Sequence, residues 1–227
     1  VGLYASLAVV NGNPAISYSD NTNRDLKYVR ATNSSGTTWG TPVILDSTGD
    51  VGIYTSLAVV NGNPAISYYD STNADLKYLR ATTTSGTLAG DWSTPVTLDT
   101  SEGAFTSLAV VNGNPAISYS GGGTGLLKYV RATTASGTLV GDWGTPVTVD
   151  DNGAVGRHTS LAVVNGNPAI SYYDYFGLYL KYVRATDASG TSWGTPVTPA
   201  STGDVGYFTS LVVVNGNPAI SYNDYAN

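Results

Sequence analysis

Short apolar segments alternate with polar turns along the whole chain, and none has the 3.6-residue spacing of an amphipathic helix. In one stretch the apolar segments predict four strands, at residues 56–60, 65–69, 76–82 and 95–98. Asn61-Gly62 joins the first two, and this dipeptide favours a type I′ hairpin because both residues tolerate positive φ. Pro64 opens the second strand, where its missing N–H costs no ladder bond. The pattern therefore predicts an up-and-down sheet of four antiparallel strands.

This pattern recurs along the chain. The sequence Ser-Leu-Ala-Val-Val-Asn-Gly-Asn-Pro-Ala-Ile-Ser-Tyr begins at Ser6, Ser56, Ser107 and Ser160, and a fifth copy at Ser210 differs only at Val212. The copies start at intervals of 50, 51, 53 and 50 residues. We predict one propeller domain made of repeat units 1–50, 51–101, 102–154 and 155–204 and a partial unit 205–227.

Repeated four-stranded antiparallel sheets are typical of an all-β protein with the β-propeller fold, in which the sheets surround an axis as blades. A β-solenoid is the alternative, but its coils are usually shorter and lack Asn-Gly hairpins. The first strand of each unit is expected to lie innermost, because its Ser and Ala residues fit where blades converge. Four units and half a fifth predict a five-bladed ring with an incomplete last blade that has an unpaired edge at residues 219–222. A segment of a larger ring is the alternative.

Composition and charge limit the classes of partner and site that the protein can have. The 227 residues include one Glu, 15 Asp and ten Lys plus Arg, for a net charge of −6, so a nucleic-acid partner is not expected. Cysteine is absent, which excludes disulfides and thiolate metal sites, and no apolar run is long enough to predict a membrane span. The abundance of Gly, Ser, Thr, Asn, Asp and Tyr is typical of secreted bacterial β-proteins, so an extracellular or cell-surface location is expected. A start at Val1 suggests a piece of a longer protein.

The connection into the fourth strand carries a resemblance. The segment from Asp187 to Trp193, Asp-Ala-Ser-Gly-Thr-Ser-Trp, resembles the Asp-box turn of sialidase-type propeller blades, and the segment from Asn33 to Trp39 is similar. Thr83 stands at the Asp position in the second unit. The wider pattern resembles bacterial tandem-repeat propeller proteins. The resemblance implies a structural turn in which Asp or Asn caps the loop and Trp packs between strands.

The same resemblance raises the question of catalysis, and the residues argue against it. Sialidases need three converging arginines, a Tyr nucleophile paired with Glu, and an acid Asp. Here Arg30, Arg80, Arg131 and Arg184 occupy one equivalent position in successive third strands and are expected to be spread around the ring. Glu102 lies in a linker between units, and nothing marks the pair of carboxylates, about 5 Å apart, that a retaining glycosidase needs. We therefore predict no catalytic residues and no enzymatic activity.

The lone histidine and the acidic turns receive structural interpretations. Aromatic residues occupy the positions equivalent to His158 in the other units, so a packing role is favoured there. The turns at residues 20–25 and 70–75 offer alternating oxygen ligands that could suit calcium. Asx hydrogen bonds within the turn are the simpler explanation, and the third unit has lost every carboxylate there. We predict no metal and no cofactor.

Aromatic residues are concentrated at one end of the blades. If the first strand is innermost, the loops between the second and third strands and the linkers between units emerge on one face, which we call the loop face. The candidate ligand-binding residues expected there are Tyr69, Asp70, Tyr173, Asp174, Tyr175, Tyr179, Asp224 and Tyr225. Tyrosine offers an apolar ring with a polar rim, which suits sugars and proteins. Two functions are expected: a non-catalytic binding module for glycans or a surface polymer, or a structural protein that assembles with copies of itself.

Overall fold

A computed structural model describes residues 2–121 and 125–225. It has four four-stranded antiparallel sheets and a fifth sheet of two strands. The strands are β1 Gly2–Val10, β2 Asn13–Asp20, β3 Asp25–Arg30, β4 Val43–Asp46, β5 Ile53–Val60, β6 Asn63–Asp70, β7 Asp75–Arg80, β8 Val96–Asp99, β9 Ala104–Val111, β10 Asn114–Gly121, β11 Leu126–Arg131, β12 Val147–Asp150, β13 Arg157–Val164, β14 Asn167–Asp174, β15 Tyr179–Arg184, β16 Val197–Ala200, β17 Val205–Val214 and β18 Asn217–Asp224.

Each sheet follows the predicted order, with consecutive strands adjacent. Asn61 and Gly62 have φ values of 44° and 79°, as the type I′ turn requires. The first strand of each unit is innermost, and successive first strands contact one another. The all-β propeller of four-stranded blades with an incomplete fifth blade is thereby confirmed.

Several strand bounds differ from the sequence expectation. The second strand of the second unit begins at Asn63, before Pro64, and the third ends at Arg80, two residues early. The first strand of the second unit begins at Ile53, three residues early, because a β-bulge between Ile53 and Ser56 extends the pairing. Short 3-10 helices, Ala89–Asp91 and Val140–Asp142, also lie in the longer connections into the fourth strands. No helix in the described part of the chain is long and apolar enough to cross a membrane.

The cores lie between neighbouring sheets. Between the first and second sheets, Leu26 and Tyr28 of β3 pack with Leu57 of β5 and Tyr68 of β6. Fully burying each such side chain contributes roughly 1.5–3 kcal/mol. Near the axis a hydrogen bond also links the blades, because Leu57 N donates to Ser6 Oγ at 3.0 Å. The serines therefore contribute a polar link between blades as well as a small volume.

The box-like turns are closed by their own polar groups. Asp187 accepts hydrogen bonds from the backbone N–H groups of Ser189, Thr191 and Ser192 at 2.7–3.2 Å. Trp193 Nε1 donates to Gly190 O at 2.9 Å. These bonds hold the pKa of Asp187 at about 2, although burial opposes the shift.

Candidate functional site in a cleft of the loop face

A cleft of about 770 Å³ opens on the loop face across the second, third and fourth sheets. It is lined by Tyr54, Tyr69, Glu102, Ala104, Phe105, Ser120, Gly125, Gly153, Ala154, Arg157, Tyr175 and Phe176. The cleft lies on the face where the sequence analysis expected the candidate ligand-binding residues, and residues of three blades line it.

The cleft lies where one unit departs from the others. At equivalent linker positions Val51, Val155 and Val205 are almost fully buried. Val51 N donates to Arg24 O at 3.0 Å, and Glu102 N makes the corresponding bond to Ala74 O at 2.7 Å. Glu102 therefore occupies the position at which the other linkers place a buried valine.

The linker that carries Glu102 is also shorter. Glu102 follows the end of β8 by three residues, whereas Val51 follows the end of β4 by five. The tighter path gives Glu102 a φ of 81°, a left-handed conformation that residues with a side chain rarely adopt. Strain of this kind is often found at functional sites, which makes Glu102 a candidate functional residue.

The walls of the cleft combine one carboxylate, one cation and several rings. Glu102 is the only acidic residue among the described lining residues. The Arg157 guanidinium lies over the Tyr175 ring, 3.9 Å from its centroid, in a cation–π contact. Burial raises the pKa of Tyr69, and the nearby Glu102 charge adds to that rise. The cleft therefore offers a proton acceptor and aromatic faces of the type that bind sugar rings.

A second cavity, of about 300 Å³, lies on the propeller axis and shares Tyr54 and Phe105 with the cleft. Its aromatic lining comes from equivalent bulge positions of all five first strands, namely Tyr4, Tyr54, Phe105, His158 and Phe208, each with φ between 51° and 55°. Burial first, and then the Arg157 charge, lowers the pKa of His158 to about 4. His158 is therefore neutral near pH 7 and packs as a ring.

The predicted aspartates are placed inside the turns. Asp70 is fully buried, accepts from Thr72 N at 3.0 Å and pairs with Lys77 Nζ at 2.6 Å. Asp174 is buried too and pairs with Lys181 Nζ at 3.2 Å. Each of these carboxylates is therefore already paired with a lysine ammonium group, whose charge repels a metal cation. No cluster of three or more possible metal ligands occurs in residues 2–121 and 125–225.

The predicted tyrosines divide into two groups. Tyr69 and Tyr175 line the cleft. Tyr173 is fully buried and donates to Asp204 Oδ1 at 2.7 Å. Tyr225 lies edge-on to Tyr207 at 4.7 Å between ring centroids, and its ring is largely exposed.

Tyr179 and Asp224 complete the predicted set. Tyr179 is partly exposed at the start of β15, and Asp224 ends β18. Neither lines the cleft. A ligand-binding role for the whole set stays a prediction, since the structure brings only two of its members into one site.

The four equivalent arginines do not converge. Arg80 Nε donates to Val60 O at 2.9 Å and its Nη2 to Asn61 O at 2.8 Å. Arg30, Arg131 and Arg184 make the same pair of bonds in their own sheets. Each one binds the hairpin carbonyls of its own blade.

The fold can be compared with solved structures. The α-L-arabinofuranosidase from Lactobacillus brevis matches 97% of this chain with a TM-score of 0.62 at 11% identity, and the match covers 82% of that enzyme. The exo-β-1,3-galactanase from Phanerochaete chrysosporium, solved with galactose, matches 95% of this chain and 55% of its own, with a TM-score of 0.64 at 12% identity. A thermostable family-43 glycoside hydrolase matches 97% of this chain and 83% of its own, with a TM-score of 0.57 at 14% identity. This chain shares its fold with glycoside hydrolases. No protein-family model and no curated protein sequence matches it.

These matches correct the functional expectation. The sequence analysis expected a non-catalytic binding module, or a structural assembly protein, without enzymatic activity. That expectation is wrong, because the proteins with which the chain shares its fold are glycan-processing enzymes. Glu102 was expected to be a linker residue without a catalytic role.

Glu102 and Arg157 were the residues missed. The signal that could have found them is an alignment of the linkers, in which Glu102 falls at the valine position and its linker is two residues short. Arg157 similarly replaces Ile53 and Ala104 of the preceding units, next to the axial ring position.

Proposed function

We propose that this protein processes carbohydrates and hydrolyses a glycosidic bond in the loop-face cleft. The observation that carries the proposal is Glu102, a carboxylate that replaces a buried valine at one of the repeated interfaces and lines a cleft with aromatic walls. The shared fold with an arabinofuranosidase and a galactanase supports a glycan substrate.

The lining residues favour one chemistry over another. Most glycosidases place two carboxylates about the scissile bond, but one exceptional class uses a tyrosine nucleophile. The described cleft has the second arrangement, since Tyr69 and Glu102 line it together and interact electrostatically. The tyrosine needs an acceptor for its proton because its raised pKa keeps it neutral at pH 7.

The proposed reaction has two steps. The Tyr69 oxygen attacks the anomeric carbon while Glu102 accepts the phenolic proton, and the leaving group departs with the bonding electron pair. Water then attacks the anomeric carbon of the tyrosyl glycoside and breaks its bond to the tyrosine oxygen. Glu102 returns its proton to that oxygen, and the proton that water loses passes through solvent to the anionic leaving group. Arg157 and the Tyr175 ring beside it hold the sugar.

Aryl glycosides with a good leaving group test this proposal, because they need no acid to assist departure. A panel that covers arabinofuranosides, galactosides and acidic sugars should include at least one that the protein hydrolyses. Glu102→Gln should lower kcat/KM by roughly 10²-fold or more, the range typical of a lost acid–base group. Asp151→Asn is the matched control, because it removes the same charge from an exposed linker residue outside the cleft.

Tyr69→Phe separates the two roles. It should abolish turnover and leave sugar binding, measured by NMR titration, within a few-fold of the original. Equal turnover by the Glu102→Gln and Asp151→Asn proteins contradicts the proposal, as does a complete absence of hydrolysis across the panel.

We also propose the location of the protein and the relation of its turns to the Asp-box. An extracellular or cell-surface location fits the composition and a polymeric carbohydrate substrate. A relation of the turns at Asn33 and Asp187 to the Asp-box is supported by their hydrogen bonds, in which the side-chain oxygen of each residue accepts from a backbone N–H within the turn.

A further inference from the structure

The fifth sheet has an open edge. In each complete sheet the second strand pairs with a third strand. For example, β6 pairs with β7 in an antiparallel register that places Ala65 opposite Arg80 and Asp70 opposite Asp75. In the described residues β18 has the same sequence as β6 except at Asn223, yet pairs only with β17. Its outer edge therefore presents the backbone groups that four other sheets use to bind a third strand.

The neighbouring first sheet has an open face. Leu57 is 6% exposed, whereas Leu7, at the same position of the first unit, is 66% exposed. Leu57 is covered by Leu26 and Tyr28, which belong to the third strand of the preceding sheet. Leu7 is therefore uncovered at the position where a third strand of the fifth sheet would lie.

The tryptophan of the first unit shows the same gap. Trp92 packs edge-on against Tyr28 of the preceding sheet, with 5.1 Å between ring centroids, and the pair Tyr78–Trp143 repeats this contact at 5.0 Å. Tyr28 also donates from its hydroxyl to Ser85 O at 2.9 Å. Among the described residues no tyrosine packs against Trp39, which is 40% exposed.

The hairpin of the fifth sheet has matching groups for an arginine. In the second sheet Arg80 of the third strand binds Val60 O and Asn61 O, and Asn63 Nδ2 donates to Ala81 O at 2.8 Å. The equivalent Asn217 turns back instead, toward Asn215 O at 3.4 Å.

The first sheet also carries a hydrogen-bond partner for the aspartate that would end a fourth strand of the fifth sheet. Tyr68 donates from its hydroxyl to Asp46 Oδ2, at the end of the preceding fourth strand, at 2.6 Å. Tyr18 is the equivalent residue of the first unit, and it lines a hollow of about 330 Å³ on the open face together with Ile16 and Val29. The hollow therefore lies where the core between two blades would be.

We propose that the seam between the fifth and first sheets is a docking site for a β-hairpin with the chemistry of the repeat's own third and fourth strands, supplied by a polypeptide that carries the same repeat. Its third strand pairs with β18, its tyrosine packs on Trp39 and its arginine binds Val214 O and Asn215 O. Its final aspartate accepts from Tyr18. Main-chain pairing of this kind supplies affinity, and side chains in pockets supply specificity.

A synthetic peptide of residues 25–46 tests the proposal, because it contains the third and fourth strands of the first unit, β3 and β4. We expect it to bind the intact chain one-to-one in fluorescence anisotropy and to slow amide hydrogen exchange in β18. A peptide with Tyr28→Ala and Arg30→Ala should bind at least tenfold more weakly, and a scrambled peptide should not bind.

Two exposed leucines provide matched variants of the protein. Leu7→Asp places a charge on the open face and should weaken binding at least tenfold. Leu88→Asp should not, since Leu88 is 67% exposed in a connection outside the seam. Equal binding of the scrambled peptide, or slowed exchange only in strands other than β18, would overturn the proposal.

Discussion

Replacing His158 by phenylalanine should remove one component of the pH dependence of stability. The His158 ring lies between Phe105 and Phe208, at centroid distances of 4.5 Å and 4.4 Å, in the axial ring of aromatic residues. Phenylalanine already occupies the equivalent position in two other units, so His158→Phe preserves the packing.

The sign and size of this pH-dependent contribution to the free energy of unfolding follow from the lowered pKa of His158. The folded-state value is about 4, against 6.5 for an unperturbed histidine, because burial disfavours the imidazolium. The neutral ring is therefore favoured by folding, and this stability is fully present above pH 6.5 and is lost as the pH falls toward 4. The shift corresponds to about 3 kcal/mol at most, and solvent screening of the partly exposed ring reduces it to roughly 1–2 kcal/mol.

Chemical denaturation of both proteins from pH 4 to pH 7.5 measures the effect. The stability difference between them should grow by roughly 1–2 kcal/mol as the pH falls, with the original protein the more acid-sensitive. In thermal unfolding this is roughly 2–4 °C per kcal/mol for a chain of this size. Parallel pH profiles for the two proteins would refute the reasoning, because they would show that His158 protonates equally in the folded and unfolded states.

Two further predictions concern packing and capping. Leu57→Ala should lower the free energy of unfolding by about 2–4 kcal/mol, because it leaves a cavity in the core between two blades. Leu7→Ala, at the exposed equivalent position, should lower it by less than about 0.5 kcal/mol. Urea titrations measure both values, and similar values would show that Leu7 is covered in solution. Asp187→Ala should lower stability by about 1–2 kcal/mol, because the backbone N–H groups of the turn lose their carboxylate acceptor. Asp187→Asn should restore much of this stability, since Asn33 caps the equivalent turn, and an Asn variant as unstable as the Ala variant would contradict this interpretation.

The sequence predicted those features of the fold that repeat. The Asn-Gly hairpins and the apolar second strands determine each blade locally, and five nearly identical copies leave few alternatives to a ring. The bulge at Tyr54 could not be predicted in this way, because its positive φ depends on packing around the axis and not on local preference. The candidate site was harder still, since Tyr69 and Tyr175 were found by composition and Glu102 was not.

The reason lies in how a repeat protein acquires a site. Val51 and Val155 are identical in role, and each seals the core between its two sheets. A repeated residue contributes the same interaction at every interface, so it can build a ring but cannot distinguish one groove from another. Glu102 and Arg157 break that equivalence, and both line one groove. In a chain of near-identical units, the positions on the loop face where one unit departs from the others are therefore the first candidates for function.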